Sequence, residues 1–224
     1  MRQETLEGML MLSVMMIESK KCGASITWIS TAVLIAFVII CAMGGDLVSW
    51  PLLGFEVIFP FLTAILVCEW VQTLSDPMID VIIVNSRSLF RWVAGRFLVV
   101  VGISGALCII CMLGLRLCML DFSLAETFFV FMVTTFFFAS IGVFSSFLSR
   151  QPHVPAAVCG VIWLLTLMAK SMIRFPVVAY LYPLLKFADP DTEKWLVNKM
   201  VLLAISICLW LLIYLVCRKR RVIG

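Results

Sequence analysis

Six stretches of this sequence are apolar for about as long as a bilayer is thick. A hydrocarbon core of roughly 30 Å takes about 20 residues of α-helix to cross. Runs of that order occur at 26–45, 52–72, 95–116, 125–148, 155–175 and 199–217. Backbone exposed to lipid finds no water for its N–H and C=O groups, so each run must be helical. The expected fold is all-α: a polytopic membrane protein with six transmembrane helices, all of 1–224 forming one transmembrane domain.

Composition agrees with lipid as the solvent. Of the 224 residues, 63% are hydrophobic and 13% charged, and the mean hydropathy is +1.15. Soluble domains sit near half apolar and about a quarter charged, so a single soluble core of this size is excluded. The formal charge of +4 is too mild to point to nucleic acid, and no such partner is expected. Membrane lipid is the expected surrounding.

The placement of the charges says more than their sum. With the N-terminus in the cytoplasm, the inner side holds Arg2, Lys20, Lys21, Arg87, Arg91, Arg96, Arg150, Arg218, Lys219, Arg220 and Arg221. The outer side holds Arg116, Lys170, Arg174, Lys186, Lys194 and Lys199. Eleven against six is the positive-inside bias, strongest in the closing Arg-Lys-Arg-Arg. Both termini are therefore expected in the cytoplasm and the chain in the cell membrane. Glu4, Glu7 and Glu18 and the short run Met9–Ile17 do not read as a cleaved signal. That run is expected as a helix lying on the cytoplasmic interface. Between the fifth and sixth runs, Pro176–Leu185 is too short to span and is bounded by prolines. It is expected as an outer re-entrant segment, with Tyr180 and Tyr182 at headgroup depth.

Nothing in the sequence points to an enzyme. The single His, His153, has no acid beside it to share a metal. Neither a GxxxxGK[ST] phosphate loop nor a GxSxG elbow occurs. The nine Cys lie mostly in apolar runs, where Cys behaves as a small hydrophobe. Cys108 and Cys111 are read as packing residues, with redox chemistry left open. Intramembrane charges are few and peripheral: Glu56 near the start of the second run, Glu69 near its end, Lys170 and Arg174 near the end of the fifth. That argues against an ion relay. A path for an apolar or amphiphilic substrate (peptide, drug-like molecule or lipid) is expected instead, with Phe131, Phe136 and Phe138 as candidate lining. Packing against lipid and other helices is the competing reading of the same aromatic cluster.

The segment between the second and third runs is the most informative. Asp76-Pro77 is a helix start, with a capping side chain followed by proline at the first helical position. Asn85-Ser86 can end a helix of about two turns over 77–84. Its Met78, Ile79, Ile82 and Ile83 are costly in water unless they meet a partner or the membrane. A loop helix lying on lipid with no partner is the alternative.

A glutamate at the inner end of span two, a short Asp-Pro helix, basic residues and Gly95-Arg96 entering span three occur in that order. This order resembles the type-2, export-class permeases of ATP-binding-cassette transporters. Ala139–Ser146 with Arg150 resembles the family's small-residue fourth span. Tyr182-Pro183 followed by Trp195 and Asn198 resembles its outer re-entrant segment and entry into span six. Glu18–Lys21 resembles the end of its N-terminal interfacial helix. Trp70 stands where a basic residue is common in the family, and Arg96 where lysine is usual. The resemblance implies a transport subunit with no cofactor of its own. ATP and magnesium would sit on a separate ATP-binding subunit, and a second permease chain would complete the path. Glu69, Asp76, Pro77, Met78, Ile79, Asp80, Ile82 and Ile83 would form the coupling site for that ATPase. A membrane immunity or binding protein that does not pump, and a secondary transporter, are the alternatives.

Overall fold

The computed structural model describes residues 53–71, 89–117, 122–149, 151–189 and 193–223. Within these the chain is helical with no strand, and five helices are long and apolar enough to cross a membrane. They are Leu53–Trp70, Leu89–Leu117, Leu124–Leu148, Val154–Arg174 and Trp195–Arg218. This points to a multi-pass membrane protein. The first expected span and the N-terminal interfacial helix lie outside the described residues, as does the 77–84 helix.

The first described element is a π-helix, Leu53–Ile58, that runs into α1, Phe59–Trp70. Pro60 explains the wide first turns. It has no N–H to return to the carbonyl of Glu56, and its ring crowds that oxygen. A π-turn relieves both problems locally. Next come α2, Leu89–Leu117, and α3, Leu124–Leu148. Ser123 caps α3, its hydroxyl accepting from the Glu126 N–H. Helix α4, Val154–Met168, tightens into a 3-10 helix, Ala169–Arg174. Two short helices follow, α5 (Pro176–Leu181) and α6 (Leu185–Ala188). The last helix, α7, is Trp195–Ile223.

Two boundaries differ from the sequence expectation. Helix α2 starts at Leu89 rather than 95, and α7 starts at Trp195 rather than 199 and continues past 217 to Ile223. The expected edges follow the apolar runs, which leave Arg91 and Asn198 outside. A helix does not stop at the membrane edge, however, and its charged side chains can find partners along the way.

Contacts sort the helix ends into two sets. At one end the rings of Phe55 and Phe122 are 6.4 Å apart, as are those of Phe129 and Trp195, and Glu126 meets Lys186. At the other, Arg96 reaches the end of α1, and Phe90 meets Tyr214 edge-on at 5.3 Å. Successive long helices are therefore antiparallel. Helix α3 is the central one, packed by α1, α4 and α7. The main core gathers Val67, Val93, Phe97, Phe138, Val143 and Ile213. A second cluster, at the Glu56 end, holds Phe55, Phe59, Cys108, Met112, Leu115 and Phe131.

Small residues let the helices close on α3. Gly142 is the tightest point: a Cβ there would lie 2.4 Å from the Cys68 sulfur and 3.2 Å from that of Cys159. Those two thiols touch at 3.8 Å, where α1 meets α4. With no hydrophobic drive between helices in lipid, such close approach is what holds a bundle together. Gly142→Ala is therefore expected to destabilise by about 1–3 kcal/mol through overpacking. Adding Cys68→Ala removes the nearest atom and should recover most of the loss. Thermal unfolding in detergent checks both, and a Gly142→Ala protein that melts with the parent would contradict this packing.

Candidate functional site

The site grows from the π-helix. Glu56 sits in it with 0% exposure, and its carboxylate meets Lys199 of α7, also 0% exposed. The Lys199 Nζ lies 2.5 Å from Glu56 Oε1. The same Nζ donates to Thr134 Oγ1 of α3 at 2.8 Å and to the Pro183 carbonyl at 2.7 Å. An ammonium has three N–H donors, and these are three acceptors. Pro183 offers its carbonyl because the chain bends between α5 and α6, outside any helix ladder. Glu56 also accepts from the backbone N–H of Lys186, at 3.3 Å, and from that of Phe187. Each ion thus has its compensation inside the protein, which a buried pair requires.

The neighbouring residues extend the same joint. Asn198 donates from Nδ2 to the carbonyls of Ala179, Tyr180 and Tyr182 at 2.9, 3.0 and 2.9 Å. Two hydrogens serve three carbonyls, so one is shared. The Tyr182 hydroxyl donates to the Thr166 carbonyl at 2.8 Å. Tyr182 lies between the fifth span and the last helix. Burial, and then the charge of Glu56, push its phenol up to about 12, which keeps it a donor. With 4% exposure it is turned inward as a strut, while Tyr180 is half-buried. Nearer the surface, Lys186 pairs with Glu126 at 2.5 Å and lies 5.1 Å from the Trp195 ring. The short segment 176–189 is thereby fastened to the π-helix, α3, α4 and α7. Chemically this is a fastener: carboxylate and ammonium are both saturated with partners, so neither is placed to react.

At the opposite end, Arg96 donates to the Trp70 carbonyl at 2.8 Å and stacks 3.6 Å from the Trp92 ring centroid. The terminal carbonyls of α1 have no helical partner, and a cation there suits both the hydrogen bond and the helix dipole. The bond joins the ends of α1 and α2 that flank residues 72–88.

Of the coupling residues expected from the sequence, Glu69 is half-buried in the last turn of α1. Asp76, Pro77, Met78, Ile79, Asp80, Ile82 and Ile83 lie outside the described residues. The three phenylalanines do not share one surface. Phe131 belongs to the second cluster, Phe138 to the main core, and Phe136 is half-buried edge-on to Phe97 at 5.2 Å. The joint of Glu56, Lys199, Thr134 and Asn198 was not anticipated. A faint signal existed: opposite charges at the same expected end of two different spans, one beside an Asn.

No family model, curated protein or solved structure matches this chain.

Proposed function

We propose that this chain is the permease subunit of an ATP-driven exporter of the ATP-binding-cassette class. With a second permease chain it forms the path for an apolar or amphiphilic substrate. A separate ATP-binding subunit, carrying ATP and magnesium, drives it. The sequence order over 69–96 motivates the reading, and the Arg96–Trp70 bond is the observation that carries it. A cytoplasmic coupling element moves spans only if both of its feet are rigidly held. That bond ties α1 and α2, the helices on either side of residues 72–88, to one another. The joint at the Glu56 end supports the same reading, because α1 with its leading π-helix is then fastened at both ends and can act as a rod. The cytoplasmic side is assigned to the Trp70 end from the distribution of Arg and Lys, with both termini there and the complex in the cell membrane.

Isolation of the tagged chain in mild detergent tests the proposal. An ATP-binding subunit is expected to co-purify, with magnesium-dependent ATP hydrolysis that the chain alone lacks. Movement of a substrate by the partner-free chain, driven by an ion gradient, would overturn the reading in favour of a secondary transporter. Substrate binding by that chain without movement would favour a membrane immunity protein.

A further inference from the structure

Among the described residues, the span with the least protein around it ends in two cations that no carboxylate answers. In the most apolar window of Val154–Arg174 only 11% of residues are buried, against 67% for α3. Val161, Leu164, Leu165, Met168 and Met172 are exposed along it. In its closing 3-10 helix, Ala169–Arg174, the side chains of Lys170, Ser171 and Arg174 are exposed too. Lys186 and Lys199, at the same end of the molecule, each have a glutamate. Lys170 has only the face of Phe187, 5.3 Å away, and no ion pair holds Arg174 among the described residues.

Depth follows from helix geometry. Helix α4 has 15 residues. At roughly 1.5 Å per residue it rises about 22 Å, and the 3-10 helix adds about 2.0 Å per residue. Lys170 then lies about 25 Å and Arg174 about 33 Å beyond Val154; with Val154 at one edge they bracket the other edge of a roughly 30 Å hydrocarbon core. Phosphate groups lie at that level.

Three kinds of neighbour could cover this face: residues 1–52, which lie outside the described residues, a second copy of the chain, or lipid. A two-fold pair uses the same patch on both partners. It would gather the Lys170 and Arg174 of both copies, four cations, into one patch to which helix Val154–Arg174 contributes no acid, and like charges repel. An anionic phospholipid supplies the missing charge. Its phosphodiester offers two oxygens to the guanidinium fork of Arg174. In a 3-10 helix Ser171 eclipses Arg174 one turn away, whereas Lys170 lies about a third of a turn round and reaches the same group by its long stem. The acyl chains then lie along Met168, Leu165, Leu164 and Val161. We propose that Lys170, Ser171 and Arg174 bind the headgroup of an anionic phospholipid, with its chains on the exposed face of α4. This site does not depend on the ATP-driven reading.

The test uses the full-length chain in detergent, titrated with phosphatidylglycerol or phosphatidylcholine and read by native mass spectrometry. The parent is expected to prefer phosphatidylglycerol by about tenfold or more, the size of one charge-assisted hydrogen bond. K170Q/R174Q should abolish the preference at unchanged melting temperature, since both side chains are exposed. R116Q/K194Q, which removes equal charge at the same end, should keep it. The proposal is overturned if the preference survives K170Q/R174Q, or falls as far in R116Q/K194Q. It is also overturned if Met168→Cys cross-links two copies of the chain in native membranes, which would make this face an interface between protomers.

Discussion

Lys199→Met, made alone, is expected to destabilise the protein by about 3–5 kcal/mol, the range for removing one member of a buried ion pair. Methionine fills a similar length of space, so the loss is electrostatic rather than a cavity. It strands the Glu56 carboxylate, fully buried, with two backbone N–H donors and no cation. It also removes the donor that Thr134 and Pro183 share. The double variant Glu56→Gln/Lys199→Met carries no buried ion. Its amide oxygen can accept from only one of the Lys186 and Phe187 N–H groups, which bond different oxygens of the parent carboxylate, so a small residual cost remains. Replacing both members of a buried pair is often nearly neutral, so the double variant should be clearly more stable than Lys199→Met. Thermal unfolding in detergent, with monodispersity by gel filtration, gives the order. A Lys199→Met protein as stable as the parent would refute the burial of this pair. A double variant no better than the single one would refute the coupling between the two residues.

The apolar runs made the spans legible because lipid leaves the backbone one choice. The run at 52–72 and the helix Leu53–Trp70 nearly coincide, as do 125–148 and Leu124–Leu148. Cys108, read as a packing residue, is buried beside Phe55 and Met112. The Ala139–Ser146 stretch, noted for its small residues, is where Gly142 admits Cys68 and Cys159. What stayed hidden was the partner of each polar group. Glu56 and Lys199 are 143 residues apart, and neither lies in a pattern that periodicity can detect. Each by itself looks like a charge resting at a membrane edge. Only the π-turn forced by Pro60 and the bend at Pro183 bring carboxylate, ammonium and carbonyl to one point. Asn198 was noted only as part of a resemblance; its role, holding three carbonyls of the 176–189 segment, belongs to tertiary structure. Likewise, Arg96 reads as the basic entry to a span, whereas its hydrogen bond goes back to the previous helix.

On the proposed exporter reading, Ile79→Asp and Ile82→Asp are each expected to weaken association with an ATP-binding subunit by more than about a hundredfold. Burying an isoleucine is worth about 1.5–3 kcal/mol. A carboxylate in its place adds the cost of desolvating a charge in an apolar groove. Together these exceed about 2.7 kcal/mol, and each 1.4 kcal/mol is a factor of ten in affinity. The prediction rests on the sequence: an Asp-Pro start, a run of about two turns, and apolar side chains suited to a partner's groove. Glu69→Ala should behave differently. Glu69 is half-buried at the end of α1, one residue from the carbonyl that Arg96 holds. The variant is expected to keep the ATPase while transport falls, because the foot of the rod is altered and the docking helix is not. Quantitative co-purification separates the two classes, and transport into inverted vesicles measures the second. Normal expression and undiminished ATPase recovery in both isoleucine variants would mean that the 77–84 segment lies on lipid and docks nothing, and the exporter reading would lose its main support.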